Sequence, residues 1–194
     1  MSQYYYAVSS LPMLFLDGES FPDVDEFLAV CVAWMSSRDL QTLQRAVLDP
    51  GFSADAEASV LGAWYAFETE LRNALARQRA IRLGVDEDRY MSSQENAIWF
   101  STMEMESRVS EAVGAETALR AEQILDEYRW RTLDELAVGH YFDLDILIIY
   151  YLKLQILRRR ASMNREDGQA LFDATWKTII DRYYKVDEAV ENKT

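Results

Sequence analysis

Side chains able to do chemistry are few: one cysteine, Cys31, and one histidine, His140. A thiolate–imidazole nucleophile would have to join those two. Cys31, however, recurs with Phe27, Leu28 and Trp34/Met35 at helical spacing, where a thiol behaves as a small hydrophobe. His140 follows Gly139 at a helix end, a position that favours capping or packing. A zinc site needs several His or Cys ligands, and a helical di-iron site needs two Glu-x-x-His units. Ala137 stands where such a Glu would precede His140, so the expected metal ligands are none. Phosphate-cradling loops need clustered glycines, yet the nearest pair, Gly51 and Gly62, lies eleven residues apart. No cofactor is expected.

Carboxylates remain. Asp143/Asp145 and Glu104/Glu106 are the pairs that an acid–base enzyme would use, but residues two apart on a helix point away from each other. Asp143 reads better as an N-cap, Asp145 as a first-turn anion at the positive dipole end, and Asp86 to Asp88 as a solvated loop. Two other clusters suit binding. Tyr4, Tyr5 and Tyr6 cannot all face one side, so at least one is expected to be exposed or to meet a partner. Arg158, Arg159 and Arg160 end an apolar helix, where they offset its dipole or dock an acidic partner.

The elements that position these residues are helical. Only 7 glycines and 3 prolines occur, the prolines all at or before Pro50, leaving the rest free to run as long helices. Asp23 and Glu26 form a capping box for a helix over 22–36; Ser37 opens a second one through Val47 and Leu48, before the turn Asp49-Pro50-Gly51. Ser53 opens a long third helix with Val60, Leu61, Trp64, Phe67, Leu71 and Leu75 on its stripe, closed by Gly84. Polar residues 86–93 place a loop and a sub-domain boundary, dividing the chain into 1–85 and 94–187 unless it is one continuous domain. Beyond it come a helix from about Ile98 to Gly114 and another from Glu116 to Val138, with a bend at Thr132. A central helix over Phe142–Arg160 is apolar all round, and a last one opens at Asn164 with the stripe Leu171/Phe172, Thr175/Trp176, Ile179/Ile180 and Tyr183/Tyr184. Tyr4 to Val8 and Ile146 to Ile149 have strand-like composition, but no convincing strand follows. The fold class is all-α, a bundle or pair of bundles of about six to seven helices.

A formal charge of −13 repels nucleic acid and anionic lipid, so neither is an expected partner. The most apolar window, Leu144 to Leu157, is too short to span a bilayer and is interrupted by Lys153. With one cysteine and no leader pattern, the chain reads as cytoplasmic.

Two stretches, YYYAVSSLPMLFLD (Tyr4 to Asp17) and EYRWRTLDELAVGHYFDLDILIIYYLKLQILRR (Glu127 to Arg159), resemble bacterial proteins of unassigned function encoded with the components of V-type ATPases. The second stretch is also similar to the repeated helical element of the C-type component (d in eukaryotes) of V/A-type rotary ATPases. That resemblance implies a non-catalytic coupling component of the central stalk, linking shaft and membrane rotor ring. It also implies other ATPase components as partners and a place peripheral to the membrane. Tyr4, Tyr5, Tyr6, Arg158, Arg159 and Arg160 are then the candidate contacts. The C-type component has three such units; this chain has room for about two. The rival reading is a helical ligand-binding or regulatory module, motivated by 5 Trp, 11 Tyr and 7 Met. It requires a closed apolar cavity.

Overall fold

A computed structural model describes residues 3–18, 20–49, 59–85 and 101–163. Among these residues there are seven α-helices and no strand: α1 (Tyr5–Ser10), α2 (Val24–Trp34), α3 (Ser37–Arg45), α4 (Val60–Leu83), α5 (Thr102–Val113), α6 (Ala118–Leu136) and α7 (Leu144–Ser162). The all-α class holds. The boundary expected at 86–93, the starts expected at Ser53 and Ile98, and the helix expected from Asn164 lie outside the described residues. Residues up to Arg158 form one compact unit, in which α4 and α5 pack together; Arg159–Thr194 form a second, described only over 159–163.

α1 is a helix where the composition is strand-like. Tyr4, Ala7, Val8 and Leu11 recur at helical spacing and turn towards the core, and this packing outweighs β-propensity. Leu11 leaves the helix with ψ 132 because Pro12 follows it. Hydroxyl and carboxylate caps open the next elements: Asp23 for α2, Ser36 for α3, Ser59 for α4, Ser101 for α5 and Thr117 for α6. Gly84 closes α4 in the left-handed region at φ 63, where a residue without Cβ meets no steric penalty.

α3 stops at Arg45, short of Val47 and Leu48, for a physical reason. Its terminal carbonyls are taken by side chains from elsewhere. Tyr65 Oη donates to the Arg45 carbonyl, Gln155 Nε2 to Ala46 and Trp64 Nε1 to Val47, at 2.7, 2.8 and 3.2 Å. Three orphan acceptors are thereby satisfied, and α4 and α7 are fixed against the same turn. Nor is α6 broken at Thr132; the hydroxyl donates to the Tyr128 carbonyl one turn back and the helix runs on.

α7 buries Leu147, Ile148, Ile149, Leu152, Leu154, Ile156 and Leu157, positions that cover its whole circumference, as expected of a central helix. Phe27 from α2 stacks on both Tyr150 and Tyr151, with centroids 5.2 and 5.7 Å away. α4 is buried on several sides too, including the polar Glu68, Thr69 and Asn73, which its apolar stripe alone does not predict. α5 lies against α4 and α6. Its Glu106 meets Arg77 of α4 while its Glu104 meets Arg131 of α6, so these two acids diverge instead of converging on a substrate.

The most demanding contact joins α4 to α6. Arg129, 8% exposed, grips Glu68, 1% exposed, through Nε–Oε1 at 2.6 Å and Nη2–Oε2 at 3.3 Å. Its Nη1 reaches the fully buried Asp126 at 3.3 Å. Burial alone would lower the Arg129 pKa, but the charge and hydrogen bonds of Glu68 more than offset it and push it above its ordinary value. Removing one partner of such a pair typically costs about 3–5 kcal/mol, because the other charge stays buried. Arg129→Met strands two carboxylates and is expected to lose that much in urea denaturation. Glu68→Gln, which leaves Arg129 with Asp126, is expected to lose less. Near-zero losses for both variants would contradict the assignment.

Candidate functional site

The six residues expected from sequence to be contacts separate in the structure. Tyr4 packs inward, 6% exposed, and its hydroxyl donates to Asp39 of α3. Tyr5 is half exposed, its ring tilted on Phe142 at 4.6 Å, and its hydroxyl donates to Gln3. Tyr6 is 74% exposed and stacks on Trp34, centroids 5.1 Å apart and planes 23° from parallel. The expected split of the three tyrosines between core and surface is therefore present. Arg158 is exposed, whereas Arg159 and Arg160 are half-buried. Successive helical residues diverge by about 100°, so the three arginines fan out around the last turns of α7 and do not form one flat patch.

Trp34 corrects an expectation. Its spacing from Phe27 and Cys31 places it on the apolar face, yet it is 55% exposed, while those two are 1% and 0% exposed. It is the final residue of α2, at the edge of the stripe, where the helix ends and Met35 turns extended. Cys31 itself is a core residue, and burial pushes its thiol up to about 12, far from the thiolate a nucleophile requires.

The other polar constellation sits at the start of α7. Asp143 Oδ1 accepts from the Ile146 N–H at 3.1 Å, the N-cap expected of it. His140 Nδ1 lies 2.7 Å from Asp143 Oδ2 and 3.6 Å from Asp145 Oδ2. The sequence pattern gives these residues separate roles. The signal that joins them is the spacing His-x-x-Asp-x-Asp across the turn closed by Gly139 at φ 93. Among the described residues they are the one group of His, Cys, Asp and Glu side chains close enough to share a metal ion. Their present bonds serve the helix instead: Asp143 caps α7, and Asp145 accepts from the backbone of Val60 at the start of α4. The Asp145 carboxylate thus links the first turn of α7 to that of α4, with His140 beside both acids.

Two partly open clefts flank the segment after α1. One, of about 480 Å³, runs between Leu11–Met13, Phe21 and α2; the other, of about 400 Å³, lies between Leu11–Leu14, Ile146, Tyr150 and Lys153. Tyr150 Oη donates to the Pro12 carbonyl and holds the segment between them. Among the described residues, no helix is long and apolar enough to cross a membrane.

Among the described residues these features define an all-helical chain with a buried charge cluster between α4 and α6, a His–Asp–Asp cluster at the start of α7 and exposed aromatic pairs at α1. The chain belongs to the family described as Protein of unknown function (DUF2764), whose model matches residues 52–185. That match covers α4 to α7; α1, α2 and α3 precede it. No curated protein and no solved structure shows a significant match to the chain.

Asp145 gives the His140 cluster a pH signature. Burial raises its pKa above the ordinary 3.8, His140 lowers it, Asp143 raises it and the Val60 N–H lowers it, for a net rise. A carboxyl with a raised folded pKa holds its proton more tightly in the folded state. Its contribution to stability therefore falls as pH rises from 3.8 through the folded value. Asp145→Asn is accordingly expected to be at least as stable as the parent at pH 7, with the difference closing below pH 3.8. Asp143→Ala, which removes a cap, is expected to lose about 0.5–2 kcal/mol at pH 7. Urea titrations at both pH values check this; a larger loss in Asp145→Asn than in Asp143→Ala would contradict it.

Proposed function

We propose that the protein is a non-catalytic helical adaptor, a coupling component of a V/A-type rotary ATPase that links shaft and membrane rotor ring through surface fit. The observation that carries this reading is the hairpin formed by the stretch that resembles the repeated helical element of the C-type (d) component. Glu127 to Arg159 makes up the second half of α6, the turn at Gly139 and most of α7. Lys153 of α7 reaches back to Asp134 and lies 4.9 Å over the Trp130 ring of α6, and Arg129 anchors the hairpin to α4. A lever that transmits torque has to be stiff, and a hairpin held by buried charge and all-round apolar packing supplies stiffness. The lack of spanning helices among the described residues fits a component that meets the membrane sector from outside.

A ligand-binding module is the second reading, and the cleft of about 400 Å³ beside Tyr150 and Lys153 is where its ligand would sit. The adaptor is preferred because the largest described aromatics do not close a pocket. Among the described residues, Trp64 and Phe67 are solid core and Tyr6 and Trp34 are on the surface, while the clefts, lined by Phe21, Phe27 and Tyr150, are partly open and not the closed apolar cavity that reading requires.

The test is to purify the intact rotary ATPase from cells that make this chain. The adaptor predicts that the chain co-purifies with the central stalk. A complete ATPase, with the rest of its stalk present and this polypeptide missing, would end the proposal.

A further inference from the structure

We infer that the face carried by α1 and the end of α2 is a docking site for a basic, arginine-bearing segment of a protein partner. The inference rests on the adaptor reading only in taking docking as the function; it does not require the partner to be an ATPase.

Three observations converge on a cation. The first is the stack itself. Tyr6 and Trp34 stand 74% and 55% exposed and stack on each other, which leaves the outer ring faces of this aromatic plate open to solvent. Ring faces are electronegative and attract guanidinium groups, most strongly at Trp. Second, Trp34 is the last residue of α2, and the last turn of α2 contains no basic residue. The negative pole of that helix, equivalent to about half an electron charge, therefore lies beside the plate without an in-helix counter-charge. Third, the neighbouring Tyr5 forms a second aromatic pair with Phe142, 49% and 38% exposed. Phe142 is followed by Asp143 and, after Leu144, by Asp145, two part-exposed carboxylates that share one imidazole, His140.

Arginine matches this better than the alternatives. Its planar cation stacks on a ring and still donates to carbonyl or carboxylate oxygens at the edge, which the rounder lysine ammonium does less well. A nucleic acid or anionic lipid would meet a chain of charge −13, and so would a second copy of the protein. A basic segment instead gains from that field both on approach and once bound.

The probe is a synthetic eight-residue peptide of alternating arginine and glycine, with a glutamate–glycine peptide as its control. Both are titrated into the intact chain carrying ¹⁵N-labelled tryptophan. The Trp34 indole signal is assigned by its loss in Trp34→Phe. The expected result is a saturable shift of that signal with the arginine peptide alone. The shift should weaken as salt rises, and affinity, read by isothermal titration calorimetry for parent and variant alike, should fall about five- to tenfold in Tyr6→Ala/Trp34→Ala, the size of one or two exposed cation–π contacts. Both side chains are exposed, so the double variant is expected to keep its far-ultraviolet circular dichroism. Equal binding by the double variant, an unmoved Trp34 signal, or the same shift from the glutamate peptide would overturn the inference. Concentration-dependent dimerisation that Trp34→Ala abolishes would overturn it in favour of self-association. Arginine-peptide binding at Trp34 in a chain that never co-purifies with an ATPase would remove only the rotary-ATPase reading. Co-purification with an ATPase in a chain whose Trp34 signal no arginine peptide moves would remove only this inference.

Discussion

A buried guanidinium cannot be left without its carboxylate, and that requirement fixes α4 against α6. Arg129 and Glu68 are 61 residues apart in sequence, and their two parallel bonds leave little freedom of rotation or slide. With Asp126 also fully buried, the interior formed by the described residues holds one cation and two carboxylates, a set that tolerates no shift of a helical turn. A hydrophobic triad of similar volume could match it in stability. What the charges add is register, because an apolar seam between two helices would accept more than one alignment. Phe67 and Tyr128, each adjacent to a member of the pair, meet edge to face at 5.2 Å in the alignment so selected.

The rest of the fold follows from that seam. α5 packs on both helices and is steered by Glu104 and Glu106, one to each side. α7 completes the core with seven buried Leu and Ile residues and sends Gln155 to the end of α3. α1 and α2 then pack against the remaining faces through Tyr4, Ala7 and Phe27, leaving Tyr5, Tyr6 and Trp34 outward. Burial does not account for the aromatic plate, since Tyr6 and Trp34 both keep more than half of their surface in solvent.

Much of this is legible in the residues. Period and caps locate the bodies of α2 through α7, because Asp23, Gly84 and Asp143 act locally and their effect needs no tertiary information. However, α3, α4 and α5 are capped by Ser36, Ser59 and Ser101 and not at Ser37, Ser53 and Ile98. The end of α3 is less legible. The stop at Arg45 depends on Tyr65, Trp64 and Gln155, which arrive from distant sequence. The charged seam leaves a faint signal: Glu68 lies between Trp64 and Leu71 on one stripe, and Arg129 between Leu125 and Leu133 on another. Opposite charges on two apolar stripes point to a buried pair, although a charge within a helix ordinarily reads as a solvated face. α1 is obscured by tyrosines with β-propensity, and Trp34 by a stripe whose helix stops beneath it. Of the candidate contacts, only the division among the tyrosines follows from geometry alone; the ring partners Trp34 and Phe142 do not, since they come from other elements.

The proposed adaptor would act by presenting a surface held still from within. In-cell photo-crosslinking examines that most directly, with a photoreactive amino acid in place of Tyr6 and, as a control, in place of the exposed Glu111. Docking predicts one discrete protein adduct from position 6 and none of that mass from position 111. No adduct from position 6, or the same adducts from both positions, would contradict it.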